Sequence, residues 1–292
     1  MCDEDTVEDN KKFLSGAGYL SRRQFNMLTA GTALAMLLPR DANALDVTEG
    51  NVNVPTPDGL ADCYFVHPSS GKHAGVIMWP DILGLRPTFR LMGKRLAESG
   101  YSVLVVNPYY RGVKSPVVSE GASFQDPSIR STVMPLYRQL SAETHTTDAR
   151  AFVEFLDRQT VVDTGRKIGA MGYCMGGPIT VRTAAAVPER VGAGATFHGG
   201  GLVTDEEDSP HLLVPEMKAH FLIAIAANDD ERDPGAKKVL RETFNKAGLP
   251  AEIEVYEGTM HGWCPPDNPV YNETQAERAW TRLLVLFETA LG

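Results

Sequence analysis

One stretch constrains this chain above all others: Lys167-Ile168-Gly169-Ala170-Met171-Gly172-Tyr173-Cys174-Met175-Gly176-Gly177. An apolar run of strand character ends in Gly172-x-Cys174-x-Gly176-Gly177. A helical pattern then begins at Pro178 and continues through Ile179, Val181 and Ala184. Strand, sharp turn and helix in that order make the setting of a nucleophile elbow. Glycines on both sides of position 174 let the backbone turn without a Cβ clash. The turn pushes the central side chain out over the end of the sheet. A sulfur placed there sits at a helix N-terminus, where free N–H groups and the helix dipole favour a thiolate.

The rest of the chain alternates strand-like and helix-like patterns. Val52 to Pro55 and Ala61 to His67 flank Pro57-Asp58-Gly59 and read as a hairpin. Ala74 to Trp79, Tyr101 to Val106, Lys167 to Met171, Val191 to Phe197, Phe221 to Ala226 and Ile253 to Tyr256 are short apolar runs suited to buried parallel strands. Helical periods fall between them, at Phe89 to Ser99, Ala142 to Leu156, Pro178 to Ala186, Pro234 to Ala247 and Gln275 to Leu291. Residues 111–140 read as irregular, a cap or a long loop. This rhythm predicts one doubly wound, mostly parallel α/β sheet with helices on both faces. Reactive residues of such sheets lie on loops past the carboxyl ends of the strands.

The N-terminal part does not fit that rhythm. Residues 1 to about 20 are polar and mostly acidic and read as a disordered leader. Ser21-Arg22-Arg23-Gln24-Phe25 precedes an apolar stretch from Met27 to Leu38, and Ala42-Asn43-Ala44 closes it with small residues. Twin arginine, modest apolar segment and A-x-A site together predict a twin-arginine export signal, hence a periplasmic or exported protein; the alternative is a cytoplasmic protein whose N-terminal segment packs on the domain as an amphipathic helix. The apolar segment is too short for a stable membrane span. Residues 1–44 are therefore taken as leader and 45–292 as one domain.

Composition excludes several classes. The net charge of −9 and the absence of a basic cluster in the domain leave no electrostatic footprint for nucleic acid. The four cysteines show neither CxxC nor Cys/His zinc spacing, so no metal, cofactor or disulfide framework is expected. A small molecule is the expected partner, met by a monomer or small homo-oligomer.

A cysteine nucleophile needs a base, and the base needs an orienter. Ala227-Asn228-Asp229-Asp230-Glu231 follows one late strand, and Glu257-Gly258-Thr259-Met260-His261-Gly262-Trp263 follows the next. Cys174, then Asp229 or Asp230, then His261 is the nucleophile–acid–histidine order of α/β-hydrolases. Counting from the strand end favours Asp229; counting back from Pro234 favours Asp230. Met175, the residue after the nucleophile, and Ile82, in Pro80-Asp81-Ile82-Leu83-Gly84 after an early strand, are the expected oxyanion donors. Asp81 is then a carboxylate beside the nucleophile, and His198, just past another strand end, is a candidate to line the pocket.

From about residue 50 to 290 the chain resembles the dienelactone hydrolase (carboxymethylenebutenolidase) family. The resemblance rests on Gly172-Tyr173-Cys174-Met175-Gly176-Gly177, Trp79-Pro80-Asp81-Ile82-Leu83-Gly84, Asn107-Pro108-Tyr109-Tyr110-Arg111 and Gly258-Thr259-Met260-His261-Gly262. It implies the α/β-hydrolase fold and hydrolysis of an enol-lactone or similar ester through a Cys–His–Asp triad and a thioester. It further implies that Asp81 tunes the nucleophile and that Arg111 binds a substrate carboxylate; Tyr173 and Trp263, near Cys174 and His261 in the sequence, join His198 as further candidates for substrate binding. The family's acid at position 81 is typically Glu, and its second substrate-binding arginine has no counterpart after His261 here.

Overall fold

The computed structural model describes residues 4–16 and 44–292. Turn chemistry starts the sheet. β1 (Val47–Thr56) and β2 (Gly59–Pro68) form the antiparallel hairpin expected around Pro57-Asp58-Gly59, with Thr56 opposite Gly59 and Val47 opposite Pro68. Gly59 takes φ +139°, a region closed to most side chains.

The chain then alternates β3 (Gly75–Trp79), α2 (Pro87–Glu98), β4 (Ser102–Val105), α3 (Pro127–Tyr137), α4 (Ala142–Asp157), β5 (Ile168–Tyr173), α5 (Gly176–Ala186) and β6 (Val191–Phe197). A 3₁₀ turn at Pro210–Glu216 leads to β7 (His220–Ala226), α6 (Ala227–Arg232), α7 (Ala236–Ala247), β8 (Ala251–Tyr256) and α8 (Glu273–Ala290). The eight strands lie in the order β1-β2-β4-β3-β5-β6-β7-β8, and those from β4 to β8 are mutually parallel.

Strand residues alternate between two apolar layers. Ile77 and Trp79 pack with Phe152 of α4 and Ile179 of α5, while Val76 and Met78 pack with Phe89 of α2 and with Leu283 and Phe287 of α8. Both faces of the central strands are covered, which is why those strands are apolar throughout rather than alternating. Each fully buried side chain of this size contributes ~1.5–3 kcal/mol. This is the doubly wound α/β sheet that the sequence predicts.

Two segments differ from expectation. Within 111–140 a helix, α3, forms. Asp126 caps it by accepting from the Ser128 N–H, and Pro127 stands at its first position, where a missing N–H costs nothing. The leader is not featureless either: Glu4–Gly16 form a helix, α1, that buries Thr6, Val7 and Asn10 against the domain. Those positions recur at helical spacing, and Arg232 at the end of α6 ties the helix to the domain by donating to Asp9 and Thr6. Most of the expected export signal, from Ser21 to Asn43, lies outside the described residues. No described helix is long and apolar enough to cross a membrane.

Candidate active site

The parallel strands end together, and the loops beyond their carboxyl ends form one cavity of about 560 Å³, its open mouth included. Cys174 follows β5 and takes φ +51°, a left-handed conformation that a non-glycine residue holds only when its surroundings enforce it. Close approach enforces it here. A Cβ on Gly172 would lie 2.1 Å from the Gly176 carbonyl oxygen, and one on Gly176 would lie 2.5 Å from the Trp79 carbonyl oxygen. The glycine pattern is therefore a packing requirement, and it presents the buried Cys174 side chain to the cavity.

His261 lies in the loop after β8. Its Nδ1 is 2.8 Å from Oδ2 of Asp229, and its ring hydrogen-bonds Cys174. Asn228 accepts the His261 backbone N–H at 2.7 Å and so fixes the loop. Burial alone would lower the pKa of His261. Interaction with Asp229 and then with Cys174, by charge and by hydrogen bond, outweighs it and pushes the pKa up to about 10. The next acid, Asp230, turns away to Lys237. Short helix α6 causes this divergence, since successive helical residues point about 100° apart.

Ile82 lines the cavity beside Cys174, and Met175 directly follows Cys174 in the chain. Met175 stands at the N-terminal cap of α5, and Ile82 lies in the turn after β3. The hydroxyl of Tyr109 ties the two residues together, 2.9 Å from the Ile82 carbonyl oxygen and 3.2 Å from the Met175 sulfur.

Asp81 also lines the cavity. Burial pushes its carboxyl above the usual range, opposed by Arg86, which bonds both carboxylate oxygens at 2.7 and 2.9 Å. The other edge of the same guanidinium bonds both oxygens of Asp267 at 2.6 and 3.0 Å. Arg86 is thus a buried cation clamped between two carboxylates. His198 lines the cavity as well, at φ +41°, with its ring edge-on to His261 at 5.1 Å. Burial and then the charge of His261 hold it neutral. Thr6, Val7 and Asn10 of α1 complete the wall, and Asn10 donates to the His261 carbonyl oxygen at 3.3 Å.

Three residues expected beside the substrate lie elsewhere. Arg111 does not line the cavity: Asp148 on α4 and Asp58 in the β1–β2 turn take its guanidinium, because a nearly fully buried carboxylate such as Asp148 requires a cation. Tyr173 points to the opposite face of β5 from Cys174 and stacks on Phe197 at 4.9 Å. Trp263 has no exposed surface and stacks on Tyr256 at 4.8 Å. Both rings also approach His198, at 6.1 and 6.3 Å.

Sequence reasoning missed Arg86, Asp267, Asn228 and Tyr109. Arg86, five residues after Asp81, and Asn228, directly before Asp229, carried a local signal. Asp267 meets its partner across 181 positions, which no local pattern could reveal. No group of His, Cys, Asp and Glu side chains suited to a metal occurs among the described residues. Cys63 and Cys264 are free, burial pushes both thiols up, and neither lines the cavity as Cys174 does.

Residues 61–291 match the model of the dienelactone hydrolase family. The carboxymethylenebutenolidase of Rhodococcus opacus is 27% identical over 236 residues, covering 78% of this chain and 86% of its own length. Solved structures agree on the fold. A dienelactone hydrolase-like promiscuous phosphotriesterase from metagenomic libraries superposes with a TM-score of 0.69 at 22% identity, over 84% of this chain and 99% of that one. The dienelactone hydrolase of Anabaena variabilis gives 0.60 at 15% identity, over 84% and 99%.

Proposed function

The chain belongs to the dienelactone hydrolase family and is a hydrolase of lactones or esters; we propose that it works through Cys174, His261 and Asp229 by way of a thioester. The observation that carries this reading is a single histidine placed between a carboxylate at 2.8 Å and the sulfur at a strained elbow. An imidazolium with a pKa of about 10 is the natural counter-ion of a thiolate.

In this mechanism the Cys174 sulfur attacks the ester carbonyl carbon. The carbonyl oxygen becomes an oxyanion, held by the N–H groups of Ile82 and Met175. The intermediate collapses to a thioester as the C–O bond breaks, and the leaving alkoxide takes the proton from His261. Water then attacks the thioester and gives its proton to His261. The sulfur leaves as thiolate, and the resting pair is restored. Asp229 keeps Nδ1–H in place throughout, so that Nε2 does the proton transfer. Asp81 tunes the nucleophile through its charge.

The test is release of p-nitrophenol from short acyl esters by wild type, Cys174→Ala and His261→Ala. Each variant should lose at least about a thousandfold in kcat/KM. A covalent acyl adduct should appear on Cys174 by mass spectrometry. Equal rates in all three proteins would sink the mechanism.

A further inference from the structure

We infer that this site selects substrates without a negative charge: neutral and cationic esters or lactones, against esters that carry a carboxylate near the reacting carbonyl. The inference rests on the hydrolase reading and specifies its substrate class.

The argument is an electrostatic census of the cavity. Its charged lining residues are Asp81, Arg86 and Asp267, joined by His261 and its partner Asp229. In the catalytic group, thiolate, imidazolium and carboxylate sum to one negative charge. Moving the proton from nitrogen to sulfur leaves that sum unchanged. The second group sums to one negative charge as well, with Asp81 and Asp267 both ionised. Protonating Asp81 would bring it to neutrality and never to a positive sum.

Arg86, the only guanidinium in the lining among the described residues, has no edge free for an incoming carboxylate. Its Nε and one terminal nitrogen bond Asp267, and both terminal nitrogens bond Asp81. Both bidentate edges are occupied, and bidentate pairing is what makes arginine a carboxylate receptor. Arg111, the arginine that the family resemblance suggested for this task, is held outside the cavity by Asp58 and Asp148.

A second hollow of about 720 Å³ shares Ile82 and Met175 with the first and brings an arginine together with two acids. Its arginine, Arg182, bonds the carbonyl and carboxylate oxygens of Asp208 through one terminal nitrogen and leaves Nε without a partner, but Asp208 and Glu206 line the same wall, so the hollow's described charges sum to one negative. Among the described residues, a substrate carboxylate would therefore leave water for a cavity whose own lining carries two excess negative charges and no open guanidinium edge. Like charges brought together in a desolvated site are strongly disfavoured. The determinant is Asp267, because it closes the edge of Arg86 that Asp81 leaves open.

The experiment is a charge series of p-nitrophenyl esters of matched length, with acyl chains ending in methyl (butyrate), carboxylate (hydrogen succinate) and trimethylammonium. Wild type should favour the methyl ester over the carboxylate ester by about 100-fold in kcat/KM, and should take the trimethylammonium ester at least as well as the methyl ester. Asp267→Asn, which opens one edge of Arg86, should narrow the methyl-to-carboxylate preference about tenfold or more. The wild-type series stands whether or not that variant folds. A wild type that takes the carboxylate ester as well as butyrate would overturn the inference, as would a folded Asp267→Asn with an unchanged preference. Failure of the hydrolase reading looks different: none of the three esters would turn over faster with wild type than with Cys174→Ala.

Discussion

Asp229→Asn is the substitution that most directly probes the catalytic group. His261 is held at a pKa of about 10 against about 6.5 in a free chain, so the folded protein favours the imidazolium by roughly 5 kcal/mol. Burial works in the opposite direction, so the whole of this comes from the neighbouring anions, Asp229 first and Cys174 after it. Asparagine removes the charge and can turn its NH₂ toward Nδ1, which stabilises the wrong tautomer for proton transfer at Nε2. The expected loss in kcat/KM is on the order of 10³–10⁴, or about 4–5 kcal/mol of transition-state stabilisation.

The pH profile tests the cause rather than the size. In wild type the alkaline limb, where the imidazolium loses its proton, should lie near pH 10. In Asp229→Asn burial gains weight and that limb should move to lower pH by more than about one unit. Stability follows the same linkage. A histidine whose folded pKa exceeds its unfolded value contributes stability that is fully present below about pH 6.5 and lost as pH rises through about 10. Wild type should therefore lose more stability across that window than the variant does. Asp230→Asn is the control: its partner is Lys237 at the half-buried edge of α7, and a change within about threefold is expected. An Asp229→Asn enzyme within tenfold of wild type, with its alkaline limb unmoved, would refute this account of His261.

Two further outcomes follow from close contacts. Gly172→Ala should lower stability by about 3 kcal/mol or more, hence the melting temperature by more than about 6 °C, since its Cβ would sit 2.1 Å from a backbone oxygen that cannot move away; a calorimetric shift below 2 °C would contradict the packing argument. A chain begun at Leu45 lacks α1, which walls the cavity with Thr6, Val7 and Asn10, and its kcat/KM should rise several-fold for long-chain p-nitrophenyl esters relative to the acetate; an unchanged ratio would show that α1 does not limit access.

What was legible in the sequence was what is local. The elbow, the acid after β7 and the histidine after β8 each occupy a fixed place relative to a strand end, and strand ends can be read from apolar runs bounded by glycine and proline. The choice between Asp229 and Asp230 was not legible, because it depends on how α6 rotates two adjacent side chains, one toward His261 and one toward Lys237. The displacement of Arg111 was hidden for another reason: Asp58 and Asp148 lie 53 and 37 positions from it. The docking of α1 was hidden because its inward face is Thr6, Val7 and Asn10, too polar to stand out from an acidic leader.

In the proposed mechanism, chemistry and selectivity are therefore carried by different parts of this chain. Cys174, Asp229 and His261 sit at or just past strand ends, where a rigid sheet fixes their separation. The charge balance of the cavity is decided by Asp267, in the loop between β8 and α8, acting through Arg86, in the turn before α2. Arg86 cannot be dispensed with. Without it, Asp81 and Asp267 would stand as buried carboxylates beside a thiolate, and burial already pushes the Asp81 carboxyl up. The guanidinium is thus tied to neutralising this chain's own acids before it can attract a ligand. One loop carboxylate, placed or removed, switches that same arginine between structural counter-ion and substrate receptor while the catalytic group stays where the strands hold it.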